Sequence, residues 1–194
     1  IGVISPALLL LGIQEESWQR LSARVENSRL LDIITFPFLT VAIFVAVTVV
    51  SHLPGVVDSV MLTQWGSFGL DMAWFIAGLL FWWPVVSPVP HRPRFPAPLT
   101  LVYMFPATLA HTLLSIWLVF SSFPVYGVYE LAPPTGWISA IGDQQVAGLT
   151  MWVVGGTIMW TIMGGVVLRW MRAQDDSEDA ARNVWSPVVH RADS

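Results

Sequence analysis

Four long apolar blocks constrain the fold of this chain more than any other feature of its sequence. Each has about 20 residues or more, which is the length that an α-helix needs to cross the hydrocarbon core of a bilayer. In lipid, a spanning segment must pair its own backbone polar groups, so isolated blocks of this kind are typical of helices. We therefore predict an all-α, polytopic transmembrane helix bundle, with spans at residues 30–53, 67–88, 97–122 and 148–170.

A further apolar segment, residues 1–13, is too short to cross a bilayer by itself. It lacks the basic start and the small-residue cleavage site of a signal peptide. We interpret it as the end of a first, truncated span, which gives about five spans in total. The composition agrees with a membrane protein, since 55% of the residues are hydrophobic and only 11% are charged, against about 25% charged in a soluble domain.

The placement of the basic residues supports a count of five. The two connections at 54–66 and 123–147 contain none of them, and the other connections and the C-terminal end contain all nine. By the positive-inside rule the arginine-bearing side is cytoplasmic, and so is the C-terminus. We predict a transmembrane domain at 1–172 and a polar cytoplasmic tail at 173–194. The basic residues are Arg20, Arg24, Arg29, Arg92, Arg94, Arg169, Arg172, Arg182 and Arg191.

Two residue types refine this arrangement. Tryptophans near the predicted helix ends are expected to lie at the membrane interface, where Trp is enriched. Glycines of the last span are expected to let a neighbouring helix approach closely. The tryptophans are Trp65, Trp82, Trp83, Trp137, Trp152 and Trp170, and the glycines are Gly148, Gly155, Gly156, Gly164 and Gly165.

His111 lies near the middle of the predicted span at 97–122. An ionisable residue at this depth faces the bundle interior or water, and it marks a candidate functional site. The alternative is a neutral histidine that holds two helices together through a hydrogen bond. The sequence leaves both interpretations open.

Other candidate ligands gather at the end of the bundle that carries no arginine. His52 ends one span, Met72 lies about one turn into the next, and Asp143 and Met151 lie at the start of the last span. Imidazole and thioether groups are the ligands that Cu(I) prefers. With His111, these residues are our candidate metal ligands, and copper is the candidate cofactor.

Simpler interpretations of these residues also stand. Met151, Met159 and Met163 recur at helical spacing, which is typical of packing in a core. Asp143 is a suitable cap for a helix that begins at this segment. The pair His52 and His111 also suits a haem or a quinone, and a haem would be non-covalent because the chain has no cysteine.

Several function classes are excluded or disfavoured. Without cysteine there are no disulfides, thiolate nucleophiles or zinc–cysteine sites. We find no GxSxG, GxxxxGK[ST], HExxH or GxGxxG motif and no identifiable nucleophile–base pair, so we do not expect an enzyme. The chain also lacks a basic, aromatic-rich surface suited to nucleic acid.

The spans carry motifs that resemble the caa3-type cytochrome c oxidase assembly factor family. The most specific is Asp143-Gln144-Gln145-Val-Ala-Gly148-Leu-Thr-Met151-Trp152. Weaker motifs lie in the same order along the chain, and together the resemblance covers most of residues 1–172. They are Ser5-Pro6-Ala7, His52-Leu53-Pro54, Ala77-Gly78 with Phe81-Trp82-Trp83-Pro84, and Arg169-Trp170.

The resemblance implies a multi-pass protein of the bacterial inner membrane that helps to build a haem-copper oxidase. Its partners would be membrane lipids and oxidase subunits, and the family is thought to supply copper. His52, His111, Asp143 and Met151 match family positions and inherit the candidate metal role. The sequence departs from the family where a Glu-His pair is usual, because Asp71 and Met72 stand there.

This departure keeps a second hypothesis open, in which the chain is a permanent, non-catalytic accessory subunit of a large respiratory or photosynthetic electron-transfer complex. The family usually has further helices before the point at which this chain begins, and the shorter chain also motivates that hypothesis. A haem- or quinone-binding redox protein is the third.

Overall fold

The structure, a computed structural model, describes residues 33–86, 96–130 and 138–192, with side chains in the last range as far as Arg182. All regular secondary structure in these ranges is helical, and none of it is strand, which confirms the all-α prediction for them. In chain order the helices are α1 (Pro37–Val50), α2 (Pro54–Val60), α3 (Gln64–Val86), α4 (Ala97–Phe120), α5 (Gly127–Glu130), α6 (Ala140–Thr150), a π-helical turn (Met151–Gly155) and α7 (Gly156–Ala192).

Three helical stretches within the described ranges are long and apolar enough to cross a membrane. They are α3, α4 and the continuous run of α6, the π-turn and α7. The pair α1 and α2 makes a fourth if it is counted as one broken span. The predicted span at 1–13 lies outside the described residues, as do the arginines that precede α1 and α4. The count of five and the cytoplasmic C-terminus therefore stay predictions.

A sharp bend separates α1 from α2, whose axes differ by 77°. Leu53 has an extended backbone, with φ −69° and ψ 129°, as expected for a residue that precedes proline. Pro54 then begins α2, because a proline in the first helical turn lacks only an N–H that needs no helical partner. His52 lies in the three-residue break, so the His-Leu-Pro motif places an imidazole at the corner of a broken span.

Proline plays two roles in the predicted spans. Pro37, which lies within the predicted span at 30–53, is in the first turn of α1. Pro106 does lie inside α4, and Pro84 lies inside α3. A membrane helix tolerates both because neighbouring groups satisfy the freed backbone.

The core forms where α1, α3, α4 and α7 meet. Phe44 of α1 stacks on Phe81 of α3 with ring centroids 4.4 Å apart, and Phe81 stacks on Tyr103 of α4 at 5.2 Å. Trp82 is 2% exposed and belongs to this core, so its predicted place at the membrane interface is wrong. Trp65 is 83% exposed, as an interfacial residue would be.

Tyr103 supplies the main polar link inside the core. Its hydroxyl donates to the backbone carbonyl of Phe81 at 2.7 Å and lies 3.0 Å from Oγ1 of Thr40. A hydroxyl buried in an apolar interior costs free energy unless it is hydrogen-bonded. These bonds join α1, α3 and α4 and offset that cost.

The last helix is longer than the predicted span at 148–170. It begins at Ala140, behind the N-cap Ser139, and continues through Ala192. The predicted boundary at residue 172 therefore lies within a helix, although the side chains at 173–182 are exposed as expected for a polar tail. A separate C-terminal domain stays a prediction.

Candidate functional site

A cavity of about 410 Å³ opens at the arginine-free end of the bundle, which is formed by residues 51–66, 121–130 and 138–147. Its walls come from the corner between α1 and α2, the first half of α3, the end of α4, the following loop and the first turns of the last span. The side chains with polar or sulfur atoms that line it are Ser51, His52, Met61, Trp74, Tyr126, Tyr129, Asp143, Gln144 and Met151. Three of the five candidate ligands, His52, Asp143 and Met151, lie together in this lining.

His52 has a defined orientation in this wall. Its Nδ1 lies 2.8 Å from the carbonyl oxygen of Thr48, one turn back in α1. A carbonyl only accepts, so Nδ1 carries the proton and donates it. In the neutral ring, Nε2 then has a free lone pair. The edge-on ring of Trp74, whose centroid is 6.1 Å from that of His52, limits rotation of the imidazole.

The methionines at the cavity differ in part from those predicted. Met151 lines it as expected. Met72 does not: it is 38% exposed on α3 and lies outside the lining. Met61, at the end of α2, supplies the second thioether, and the sequence offered no signal for it, because only the bend at Leu53-Pro54 turns α2 across this end.

The predicted methionine stripe divides between two environments. Met159 is 2% exposed in the core, and Met163 packs against it. These two residues follow the packing interpretation, whereas Met151 faces the cavity.

His111 is hydrogen-bonded to the neighbouring helical segment, in agreement with the interpretation that it holds two helices together. Its Nε2 lies 2.7 Å from the carbonyl oxygen of Met151 and so donates to it. The residue is not part of the cavity lining. Nε2 cannot donate to this carbonyl and ligate a metal at the same time, so a ligand role through this nitrogen would require the bond to break.

Asp143 lies in the first turn of α6 at the cavity. The predicted alternative, that it caps this helix, is wrong, because the hydroxyl of Ser139 is the cap and accepts from the backbone N–H of Gly142 at 3.1 Å. A carboxylate in the first turn is favoured by the helix dipole. Asp143 is therefore free to bring negative charge to the rim.

Gln144 holds the cavity wall together. Its Oε1 accepts from the backbone N–H of Val125 at 2.7 Å, and its Nε2 donates to the carbonyl of Leu118 at 3.2 Å. One amide thus joins α6 to the end of α4 and to the following loop. Sequence reasoning placed Gln144 in a distinctive motif but did not assign it this role.

Asp58 and Tyr126 join the segment from His52 to the end of α2 to residues 126–128, which follow α4. Asp58 accepts from the backbone N–H of Val128 at 2.9 Å, and the hydroxyl of Tyr126 donates to the carbonyl of His52 at 3.3 Å. Burial, with smaller contributions from Tyr129 and Asp58, raises the pKa of Tyr126 to about 12. The phenol therefore stays neutral and remains a donor at physiological pH.

The donor set fits a soft metal ion better than a hard one. Among the described residues, no three or more His, Asp or Glu side chains form a group that could hold a metal. The cavity instead combines one imidazole with two thioethers, Met61 and Met151, and these are ligands that select Cu(I).

Comparison with known families agrees with the motifs. A family model described as cytochrome c oxidase caa3 assembly factor matches residues 1–173. The chain belongs to this family. A search of curated proteins found no match, and neither did a search of solved structures.

Membership in the caa3 assembly factor family indicates a role in oxidase assembly. The apolar helices agree with a multi-pass membrane protein. It also connects the Asp143-Gln144-Gln145 motif with the cavity, because Asp143 reaches its rim and Gln144 holds its wall. Nothing in the comparisons or the described residues favours the permanent accessory subunit.

Proposed function

We propose that this chain of the caa3 assembly factor family holds Cu(I) in the cavity at the arginine-free end and passes it to an oxidase subunit. The arginine-bearing end would face the cytoplasm, so the cavity would open on the outer face of a bacterial inner membrane. The step is a ligand exchange without redox chemistry: the ion leaves the cavity ligands for those of the oxidase. The chain would act as a non-catalytic partner in assembly.

One observation carries the proposal: the cavity brings together a histidine with a fixed tautomer and two thioethers. The Nδ1–H of His52 is held by the carbonyl of Thr48. Metal-binding histidines commonly donate their other ring N–H to a carbonyl or carboxylate in this way, which fixes the tautomer and orients the ring. Nε2 of His52 with the sulfur atoms of Met61 and Met151 would form the ligand set. Asp143 at the rim would balance the charge of the ion.

Neutral ligands suit transfer as well as binding. Imidazole and thioether groups hold Cu(I) without the proton release that a thiolate requires. Two of the three proposed ligands lie at the ends of short structural units, Met61 after α2 and Met151 at the π-turn. A small movement of either unit would remove a ligand and favour release.

The test is Cu(I) affinity of the purified full chain in detergent, measured by competition with a chromophoric chelator under reducing conditions. We expect His52→Ala, Met61→Leu and Met151→Leu each to weaken binding by about tenfold or more, the scale of a lost ligand or its support. Met72→Leu is the matched control and should bind as the wild type does. Equal affinities for the Met61 and Met72 variants would contradict the proposed site.

The assembly role is tested separately in cells. In a strain that depends on a family member, the wild-type chain should restore oxidase with a normal ratio of copper to haem, and the Met61→Leu, Met151→Leu double variant should restore haem-containing but copper-poor oxidase. If the oxidase made with the double variant has a normal copper content, the proposed copper transfer is refuted, and the chain must assist assembly in another way.

A further inference from the structure

The π-turn at Met151–Gly155 is held from the neighbouring helix by His111. Nε2 of His111 donates to the carbonyl of Met151, the first residue of the turn. The same imidazole lies against the backbone of Gly155, the last residue of the turn. One side chain therefore contacts both ends of the irregular segment. Single π-turns within α-helices are rare and are often found at functional sites.

The turn changes which residues of the last span share a face. In a regular α-helix, the eight residue-to-residue steps from Met151 to Met159 turn through about 800°, which leaves the two side chains about 80° apart around the helix axis. A π-turn accommodates about one extra residue, so the rotation from Met151 to Met159 falls to about 700°. The angle between the two side chains around the helix axis then falls to about 20°. Met159 is buried in the core, so the extra residue brings Met151 to the inner side of the bundle, at the cavity.

Glycine at position 155 makes this arrangement sterically feasible. A Cβ built on Gly155 would lie 2.6 Å from Cε1 of His111, well inside normal contact distance. At the adjacent Gly156, the nearest atom to a built Cβ is Cδ1 of Trp152 at 4.0 Å, an ordinary contact. The imidazole can therefore approach the turn only because residue 155 has no side chain.

We infer that His111 is a positioning residue, which keeps the π-turn in place and thereby directs the Met151 thioether into the cavity. It acts through its N–H on the backbone of Met151 and does not itself hold a metal. The consequence for metal binding rests on the proposed function, but the position of Met151 does not, and it is measurable without metal. Sequence reasoning assigned His111 to the ligand set because its depth in the span suggested a functional role.

The experiment is methyl NMR of the full chain in detergent micelles, with ¹³C-methyl methionine at all seven methionines. The Met151 resonance is assigned with Met151→Leu. In the metal-free protein, His111→Ala and Gly155→Ala should both move the Met151 methyl resonance and leave that of Met72 in place. Gly156→Ala is the matched control and should leave both unchanged. A Met151 resonance unaffected by His111→Ala and Gly155→Ala would overturn the inference.

A second measurement separates positioning from ligation. Ag(I), a redox-stable substitute for Cu(I), is titrated into the same samples. Loss of a supporting residue typically weakens metal binding by about 10- to 100-fold, and this is the effect expected for His111→Ala. His111→Gln keeps an N–H donor of similar reach but has no imidazole, and it should recover both the Met151 resonance and Ag(I) binding.

The outcomes distinguish the two proposals. Recovery of the Met151 resonance in His111→Gln with Ag(I) binding as weak as in His111→Ala would show that the imidazole itself is a ligand, and would overturn the inference. A wild-type chain that binds no Ag(I) or Cu(I) would refute the proposed function. The metal-free resonance of Met151 would still decide whether His111 positions it.

Discussion

Replacement of Gly155 by alanine tests the contact on which the geometry of the last span depends. The added Cβ would lie 2.6 Å from Cε1 of His111, whereas carbon atoms pack at about 3.5–4.0 Å. His111 would therefore have to retreat by about 1 Å, and its 2.7 Å hydrogen bond to Met151 would become too long to count.

The expected size of the effect follows from three contributions. The lost hydrogen bond costs about 0.5–1.5 kcal/mol and the overpacking about 1–3 kcal/mol, while the better helix propensity of alanine returns about 1 kcal/mol. The net result is a decrease of about 0.5–3.5 kcal/mol in the free energy of unfolding. Gly156→Ala, which meets no close atom, should instead gain up to about 1 kcal/mol.

The assay is reversible unfolding of the purified chain in mixed micelles with increasing SDS, followed by tryptophan fluorescence. A double-mutant cycle with His111→Ala isolates the contact, because the clash disappears when the imidazole is absent. We expect Gly155→Ala to be much less destabilising in the His111→Ala background. An undiminished cost in that background, or equal stability of the Gly155→Ala and Gly156→Ala variants, would refute the reasoning.

Three further predictions concern the wall of the cavity. Gln144→Ala should lower the free energy of unfolding by about 1–3 kcal/mol, because buried backbone groups lose their partners, and Gln145→Ala in the same unfolding assay should be the milder change. Asp58→Ala removes the acceptor of the Val128 N–H and should increase the rate of limited proteolysis in the adjoining loop, whereas unchanged cleavage would contradict a structural role for this bond. The pKa of Tyr126 is raised from 10 to about 12 in the folded protein. Its contribution to the free energy of unfolding is therefore complete below pH 10 and is lost as the pH rises through about 12. Tyr126→Phe should reduce this loss of stability at high pH, as measured by unfolding curves collected at several pH values.

Much of the fold could be predicted from the sequence because partitioning into lipid depends on local composition. α3 and α4 coincide with their predicted apolar blocks to within a few residues, whereas the last helix extends well beyond its block at both ends. The alternation of connections with and without arginine correctly indicated that His52, Asp143 and Met151 gather at one end. Trp82 was misplaced, because its position near a helix end carries no information on whether the indole faces lipid or a neighbouring helix.

The candidate site was predicted only in part, and the errors share a cause. Met72 was a candidate because it lies about one turn into a predicted span, whereas nothing in the sequence shows that α2 bends by 77° across the end of the bundle and places Met61 at the cavity. His111 was taken as a candidate ligand because its depth was visible, while its acceptor, the carbonyl of Met151, is a backbone atom 40 residues away.

By itself, then, the sequence determined that the chain enters a membrane as helices, that it belongs with oxidase assembly factors, and which end carries the ligand-type residues. These properties depend on local apolar length and on short motifs. The tertiary structure alone decided which side chains face the cavity and which nitrogen of His52 is free. The cavity-facing side chains depend on the bend before α2 and on the π-turn, which is held by the contact between His111 and Met151, 40 residues apart in the chain. The free nitrogen of His52 depends on where the folded end of α1 places the carbonyl of Thr48.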